Sequence, residues 1–128
     1  MGKNAQKNLL RYKMKREDNS LNAWNIWSIK DKELLNLIIC RAGGETTIRI
    51  MDIILKEPKN KHQLSKMLHL DYNTIAHHIN IIKNHDYITE ERFEKSIYIY
   101  PSQKLFKSLE EYKLVKEYLK MKKHNKDE

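Results

Sequence analysis

Apolar residues recur at helical spacing along most of this chain, and at strand-like composition in one stretch around residue 90. The clearest period lies in 71–84, DYNTIAHHINIIKN. Ile75, Ile79 and Ile82 fall at i, i+4 and i+7, which lines one face of a helix with branched aliphatics. Asp71 is a good N-cap, because its carboxylate can accept from the free amides of a first turn. His78 borders the apolar stripe. The opposite face carries Asn73, Ala76, His77 and Asn80, with Asn84 further along, all small or polar. The preceding run, 61–69, predicts a partner helix with Leu64, Met67 and Leu68 at i, i+3 and i+4. A gap of about three residues separates the two, as in a helix-turn-helix, and Leu70 would plug the corner.

The hairpin and the flanking helices follow from the same reading. Tyr87-Ile88-Thr89 and Ile97-Tyr98-Ile99-Tyr100 are β-branched and aromatic, which predicts two strands. Residues 90–96 between them are polar and lack glycine, so they are expected to form the hairpin loop. Upstream, Ser28 opens a predicted helix, with Asp31 three residues on as a capping-box partner. Leu34, Leu35 and Ile38 form its apolar face, and Gly43-Gly44 is expected to stop it. A second helix over 46–56 carries Ile50, Ile53 and Ile54, with Leu55 alongside, and Pro58 ends it. Downstream, Ser102 caps one long helix to about residue 122. Leu105, Leu109, Tyr112, Val115 and Leu119 make its stripe, widened by Phe106, Tyr118 and Met121. A stripe that long needs a surface to bury against. The 28–41 helix of the same chain and a second copy are compatible as that surface, and a two-fold dimer built from both helices is the expectation.

The segment HQLSKMLHLDYNTIAHHINIIKNHDYI resembles the winged helix-turn-helix of ArsR-type transcriptional regulators, particularly their archaeal relatives. The matching positions are Leu64, Leu68, the turn His69-Leu70-Asp71, Thr74-Ile75, His78-Ile79, Ile82 and Asp86. His69 and Asp86 stand where the family usually has glycine, and both residue types tolerate a left-handed backbone. Thr47 and Arg49 correspond, one residue out of register, to a threonine and an arginine that introduce the family's first helix. The resemblance spans roughly 44–101. It implies a mainly α fold with a small β-hairpin, a winged helix-turn-helix with additional N- and C-terminal helices, and dimerisation through terminal helices. Three regions result: a basic arm and Trp-containing anchor (1–27), the winged domain (28–101, reading helix about 72–84, wing 87–100), and a C-terminal dimerisation helix with a basic tail (102–128).

Charge sharpens this picture. The chain carries a formal +8, which suits a polyanionic partner. Residues 1–30 hold seven Lys/Arg against two acids, and 102–128 hold eight against five, whereas 60–86 is only +1. The excess therefore lies in the terminal segments and not on the reading helix. The first 19 residues, with Lys3, Lys7, Arg11, Lys13, Lys15 and Arg16, read either as an arm on DNA backbone or as a solvated tail. Trp24 and Trp27 are expected to anchor the segment onto a core or a second subunit rather than to stack on bases. The hairpin reads either as a phosphate grip through Arg92 and Lys95 or as a structural closure, since Glu90, Glu91 and Glu94 repel DNA.

The expected function is a sequence-specific transcriptional regulator on double-stranded DNA, acting as a homodimer with its reading helix in the major groove. Tyr72, Asn73, Thr74, His77 and Asn80 are the candidate base contacts. Lys61, Lys66, Lys83, Arg92 and Lys95 are the candidate phosphate contacts. Leu105, Leu109, Tyr112, Val115 and Leu119 are the candidate dimer face. Two rivals stand beside this reading: a low-specificity architectural DNA binder driven by the basic ends, and a protein-interaction module on a winged-helix scaffold. No glycine-rich phosphate loop, HExxH or paired-cysteine site is present, so neither an enzyme nor a cofactor is expected. The adjacent His77 and His78 point about 100° apart on a helix and do not chelate one ion, so no metal site or small-molecule effector is expected. No apolar run is long enough to span a membrane, and no secretory core follows the N-terminus. The lone Cys40 forms no internal disulfide, suits a reducing cytoplasm, and is expected to be buried.

Overall fold

A computed structural model describes residues 26–127, with side chains to residue 122. The basic arm and Trp24 lie outside the described residues. Within them the chain is mainly helical, with six helices and one two-stranded antiparallel sheet.

Helix α1 (Lys32–Ile38) begins where the Asp31 carboxylate accepts the Leu34 amide at 3.0 Å. Ser28 does not open it; the cap with the charged oxygen sets the start. The Gly43-Gly44 pair is likewise not a stop. It opens α2 (Gly44–Lys56), with Gly43 as N-cap. The pair is there because the two helices meet closely: a Cβ on Gly44 would lie 1.8 Å from the Ile38 carbonyl oxygen.

Helix α3 (Lys61–Leu68) starts with a reciprocal capping box. The Gln63 amide donates to Asn60 Oδ1 at 2.8 Å, and the Asn60 amide donates to Gln63 Oε1 at 2.9 Å. It ends at His69 in the left-handed region, φ 56°. Helix α4 (Tyr72–Asn84) follows, capped by Asp71, which accepts the Asn73 amide at 3.0 Å. Asp86, φ 67°, then turns the chain into the sheet. Both positions lack a glycine and still adopt the backbone that glycine favours, as a short polar side chain permits.

Strand β1 (Ile88–Phe93) pairs with β2 (Ser96–Pro101) in the register Ile88 with Pro101 through Phe93 with Ser96. The strands run further than the composition suggests, so Glu90 belongs to a strand and only Glu94 and Lys95 make the turn. Glu94 takes φ 57° there. The Ile99 amide also donates to the Lys59 carbonyl at 2.8 Å, which pins the α2–α3 connection to the hairpin.

Ser102 caps α5 (Gln103–Lys107), and α6 (Leu109–Asp127) follows after a break at Ser108. The expected single long helix is therefore two. The core gathers Leu34, Ile38, Ile50, Ile54, Leu64, Ile75, Ile79, Ile82, Ile99, Leu105 and Val115 from every helix and from β2. No helix among the described residues is long and apolar enough to cross a membrane.

Candidate functional site

Helix α4 divides as its period requires. Ile75, His78, Ile79 and Ile82 are buried, whereas Tyr72, Asn73, Thr74, His77, Asn80, Lys83 and Asn84 are exposed. All five candidate base-contacting residues therefore share the uncovered side of one helix. They are held there by an apolar face already spent on the core. His78 is buried, and its Nδ1 has no hydrogen-bond partner among the described residues. Its burial, with Arg41 and His77 nearby, holds its pKa below the ordinary 6.5.

The hairpin brings a second set of residues up to the N-termini of α3 and α4. Side chains alternate along a strand, so Ile88, Glu90 and Arg92 share the face turned towards the helices, opposite Pro101, Ile99 and Ile97 of β2. The result is a polar cleft of about 310 Å³ lined by Asn60, Lys61, His62, Tyr72, Arg92, Lys95, Ser96 and Ile97. Three of the five candidate phosphate contacts, Lys61, Arg92 and Lys95, converge in it together with Tyr72. No carboxylate among the described residues lines it. The other two stand apart: Lys66 is exposed on α3, and Lys83 is in the last turn of α4.

Sequence reasoning missed two residues of this region. His62 stacks on Tyr72 with ring centroids 4.6 Å apart, forming an aromatic wall of the cleft. The signal was available, since Asn60 and Asp71 each cap a helix and so place His62 and Tyr72 in two adjacent first turns. Glu90 is the other. Its Oε1 accepts from Lys83 Nζ at 2.9 Å, and its Oε2 lies 3.7 Å from Lys61 Nζ. One carboxylate thus engages two of the candidate phosphate contacts. Phe93, at the end of β1, is exposed next to the hairpin turn.

A polar hub fixes this surface to the rest of the chain. Asp31, besides capping α1, accepts from the Tyr87 hydroxyl at 2.7 and 2.8 Å and from Ser108 Oγ at 2.7 Å. Burial pushes the Asp31 carboxyl up, but the hydrogen bonds from Ser108, Tyr87 and the Leu34 amide, with Lys104 nearby, outweigh it and hold the pKa below its ordinary value. Tyr87 is driven far above its usual range by burial and by the Asp31 carboxylate. Next to this group Glu33 pairs with Lys104 and with His85 Nδ1 at 2.8 Å, and both contacts lower its pKa. Lys104 also donates to the His85 carbonyl at 2.8 Å. The end of α4 is thereby tied to α1 and α5.

The candidate dimer face is corrected by burial. Leu105, Tyr112 and Val115 lie in the chain's own core, and Leu109 and Leu119 pack against it. Tyr112 donates to Asp52 at 2.7 Å and to the Ile48 carbonyl at 3.2 Å, so its hydroxyl is also engaged within the chain. Leu105, Tyr112 and Val115 thus serve packing within the chain, whereas Leu109 and Leu119 are only partly covered. The large apolar side chains left exposed on α5 and α6 are Phe106 and Leu114. Cys40 is exposed, against the expected burial. Trp27 is 59 % exposed and does not anchor on this chain's own core, which Ile26 and Ile29 enter instead; of its two expected anchoring surfaces, the second subunit is the one left. No protein-family model matches this chain, and no curated protein matches its sequence.

Proposed function

We propose that this chain is a winged helix-turn-helix protein of the ArsR-like type that reads double-stranded DNA in sequence-specific fashion as a transcriptional regulator. In this reading α3 and α4 are the helix-turn-helix, α4 enters the major groove, and the β1–β2 hairpin is the wing. The observation that carries it is the continuity of two surfaces. The exposed side of α4, with Asn73, Thr74, His77 and Asn80, runs at its N-terminal end into the basic cleft of Lys61, Arg92 and Lys95. Short amide and imidazole side chains suit base edges, and converging cations suit the phosphate strand beside them. The left-handed His69 and Asp86, at the two positions where the family pattern has glycine, support the kinship.

The regulator acts as a homodimer in this proposal, with two reading helices about one DNA turn apart and a palindromic site. With the stripe of α6 spent internally, Phe106 and Leu114 are the residues that support pairing of two copies. Exposed Trp27 and Phe106 equally favour the second reading, a protein-interaction module on the same scaffold.

Site selection from a random duplex pool decides between them. A palindromic winner bound about 1,000-fold tighter than a scrambled duplex establishes the specific regulator. Binding without a winning motif indicates an architectural binder. Absence of binding at low salt, with a stable hetero-complex, indicates the interaction module.

A further inference from the structure

We infer that Glu90 sets the specificity of DNA reading by occupying, in the free protein, the place between Lys61 and Lys83 that a backbone phosphate takes on binding. The inference rests on the DNA-binding reading above.

Lys61 opens α3, Lys83 lies in the last turn of α4, and Glu90 stands on β1. Two ammonium groups from different helices point at the two oxygens of one carboxylate, at 3.7 and 2.9 Å. The Glu90 side chain is 22 % exposed and lies on the helix-facing side of its strand. The arrangement is an anion seat already filled. Nearby Arg92 and Lys95, which share the cleft with Lys61, have no carboxylate within ion-pair distance among the described residues.

The local charge balance shows what the filled seat does. Across residues 60–97, Lys61, Lys66, Lys83, Arg92 and Lys95 are cancelled by Asp71, Asp86, Glu90, Glu91 and Glu94. A phosphate approaching Lys61 and Lys83 must displace Glu90, exchanging one ion pair for another with little net gain. Random duplex therefore gains little from these two lysines. A correct site adds the base contacts of α4, and those tip the exchange. Non-specific binding is almost wholly phosphate-driven, so an internal carboxylate that competes for phosphate-binding lysines lowers it selectively.

The test measures binding of the selected duplex and of a scrambled duplex of equal length across several salt concentrations, by fluorescence anisotropy. Glu90→Gln keeps the shape and removes the charge. It is expected to tighten the scrambled duplex roughly five- to tenfold at low salt and to steepen the log–log salt slope by about one to two units, while the selected-to-scrambled ratio falls. In a Lys61→Gln/Lys83→Gln background the same change is expected to gain nothing. Unchanged or weaker scrambled binding by Glu90→Gln overturns the inference, as does an equal gain in the lysine-free background, which would mark a general charge effect. Thermal melting checks that each variant folds. Glu90→Asp, which keeps the charge but is too short to reach both lysines, provides a second variant with an intermediate gain expected. If neither wild type nor Glu90→Gln binds any duplex at about 50 mM salt, the DNA-binding reading itself has failed, an outcome distinct from the two above.

Discussion

The Asp31–Tyr87 contact offers a quantitative test of the hub that holds the α3–α4 unit and hairpin to the outer helices. Tyr87 is fully buried, and its hydroxyl donates to both Asp31 oxygens. Asp31→Ala removes the α1 cap, worth about 1 kcal/mol. It also strands the Tyr87 hydroxyl without an acceptor, a cost of about 1–3 kcal/mol. Ser108 is only half-buried and can turn to water, so its lost bond adds little. The expected total is roughly 2–4 kcal/mol, a large share of a small domain's stability of about 5–15 kcal/mol. Tyr87→Phe alone removes one charge-assisted bond, about 1.5–3 kcal/mol, and leaves Asp31 its other donors. The double variant has no stranded hydroxyl, so its cost should fall short of the sum of the singles by at least about 1 kcal/mol. Urea denaturation at neutral pH, followed by far-UV circular dichroism, measures all three. Additivity within about 0.5 kcal/mol would show that the two groups do not depend on each other, and the hub as described would be wrong.

Three other outcomes are expected. Gly44→Ala should cost about 3 kcal/mol or more, because its Cβ meets backbone at 1.8 Å, whereas Gly43→Ala meets the movable Arg41 side chain and the His78 ring and should cost less; melting temperatures rank the two. Stability should fall with acidity in two stages. The depressed His78 stays neutral in the fold while the unfolded chain takes up a proton, so stability declines as pH drops below 6.5; Asp31 and Glu33, held below 3.8 and 4.5, then withdraw their contributions as pH falls through and below those values. Melts from about pH 8 to 3 test this, and His78→Leu should flatten the upper stage alone; a wild-type curve level between about pH 7.5 and 5.5 would contradict the His78 assignment. Finally, Val115→Asp should unfold the chain, while Leu114→Asp, one residue away and 40 % exposed, should leave it folded and convert a dimer to a monomer in sedimentation. A folded Leu114→Asp with unchanged mass would remove that surface from the proposed pairing.

The parts that local rules govern were legible in the sequence. Asp71 and Ser102 cap the helices their types suggest, the Ile75–Ile79–Ile82 stripe is buried, and His69 and Asp86 take the left-handed conformations their place in the pattern requires. The errors arose where a distant partner decides. Ser28 loses the α1 cap to Asp31, whose carboxylate is fixed from afar by Tyr87 and Ser108. The same Ser108 lies at the break between α5 and α6, which an uninterrupted stripe from Leu105 to Leu119 did not disclose. Gly43-Gly44 fits a stop in isolation, and only the approach of Ile38 makes it a start. The stripe on α6 was correctly expected to need cover, but periodicity cannot say whether the cover is the same chain or another. Three-dimensional packing assigned it to the same chain, through Tyr112 and Val115. For the candidate site, the residue types on α4 were visible in its period. The pairing of Lys61 and Lys83 through Glu90 was not, because Glu90 lies 29 positions after Lys61 and no local pattern joins them.

That pairing also bears on where binding strength would come from. A reading unit whose charges cancel over 60–97 cannot hold random DNA strongly by itself, yet the whole chain carries +8, much of it in residues 1–30 and 102–128. In the proposed DNA-binding reading, affinity and discrimination would then be carried by different parts of the sequence. Cations at the ends would supply attraction that every duplex shares, and it would fade with salt. The α4 face and its balanced surroundings would supply the difference between one sequence and another, which depends on salt far less. A protein built this way should keep its selected-to-scrambled ratio nearly constant as salt rises, even while both affinities fall together. The opposite arrangement, a strongly basic reading helix, would bind all sequences in competition with its own site. The neutral motif, which at first weakens a DNA-binding reading, would in the proposed reading be a reason for selectivity.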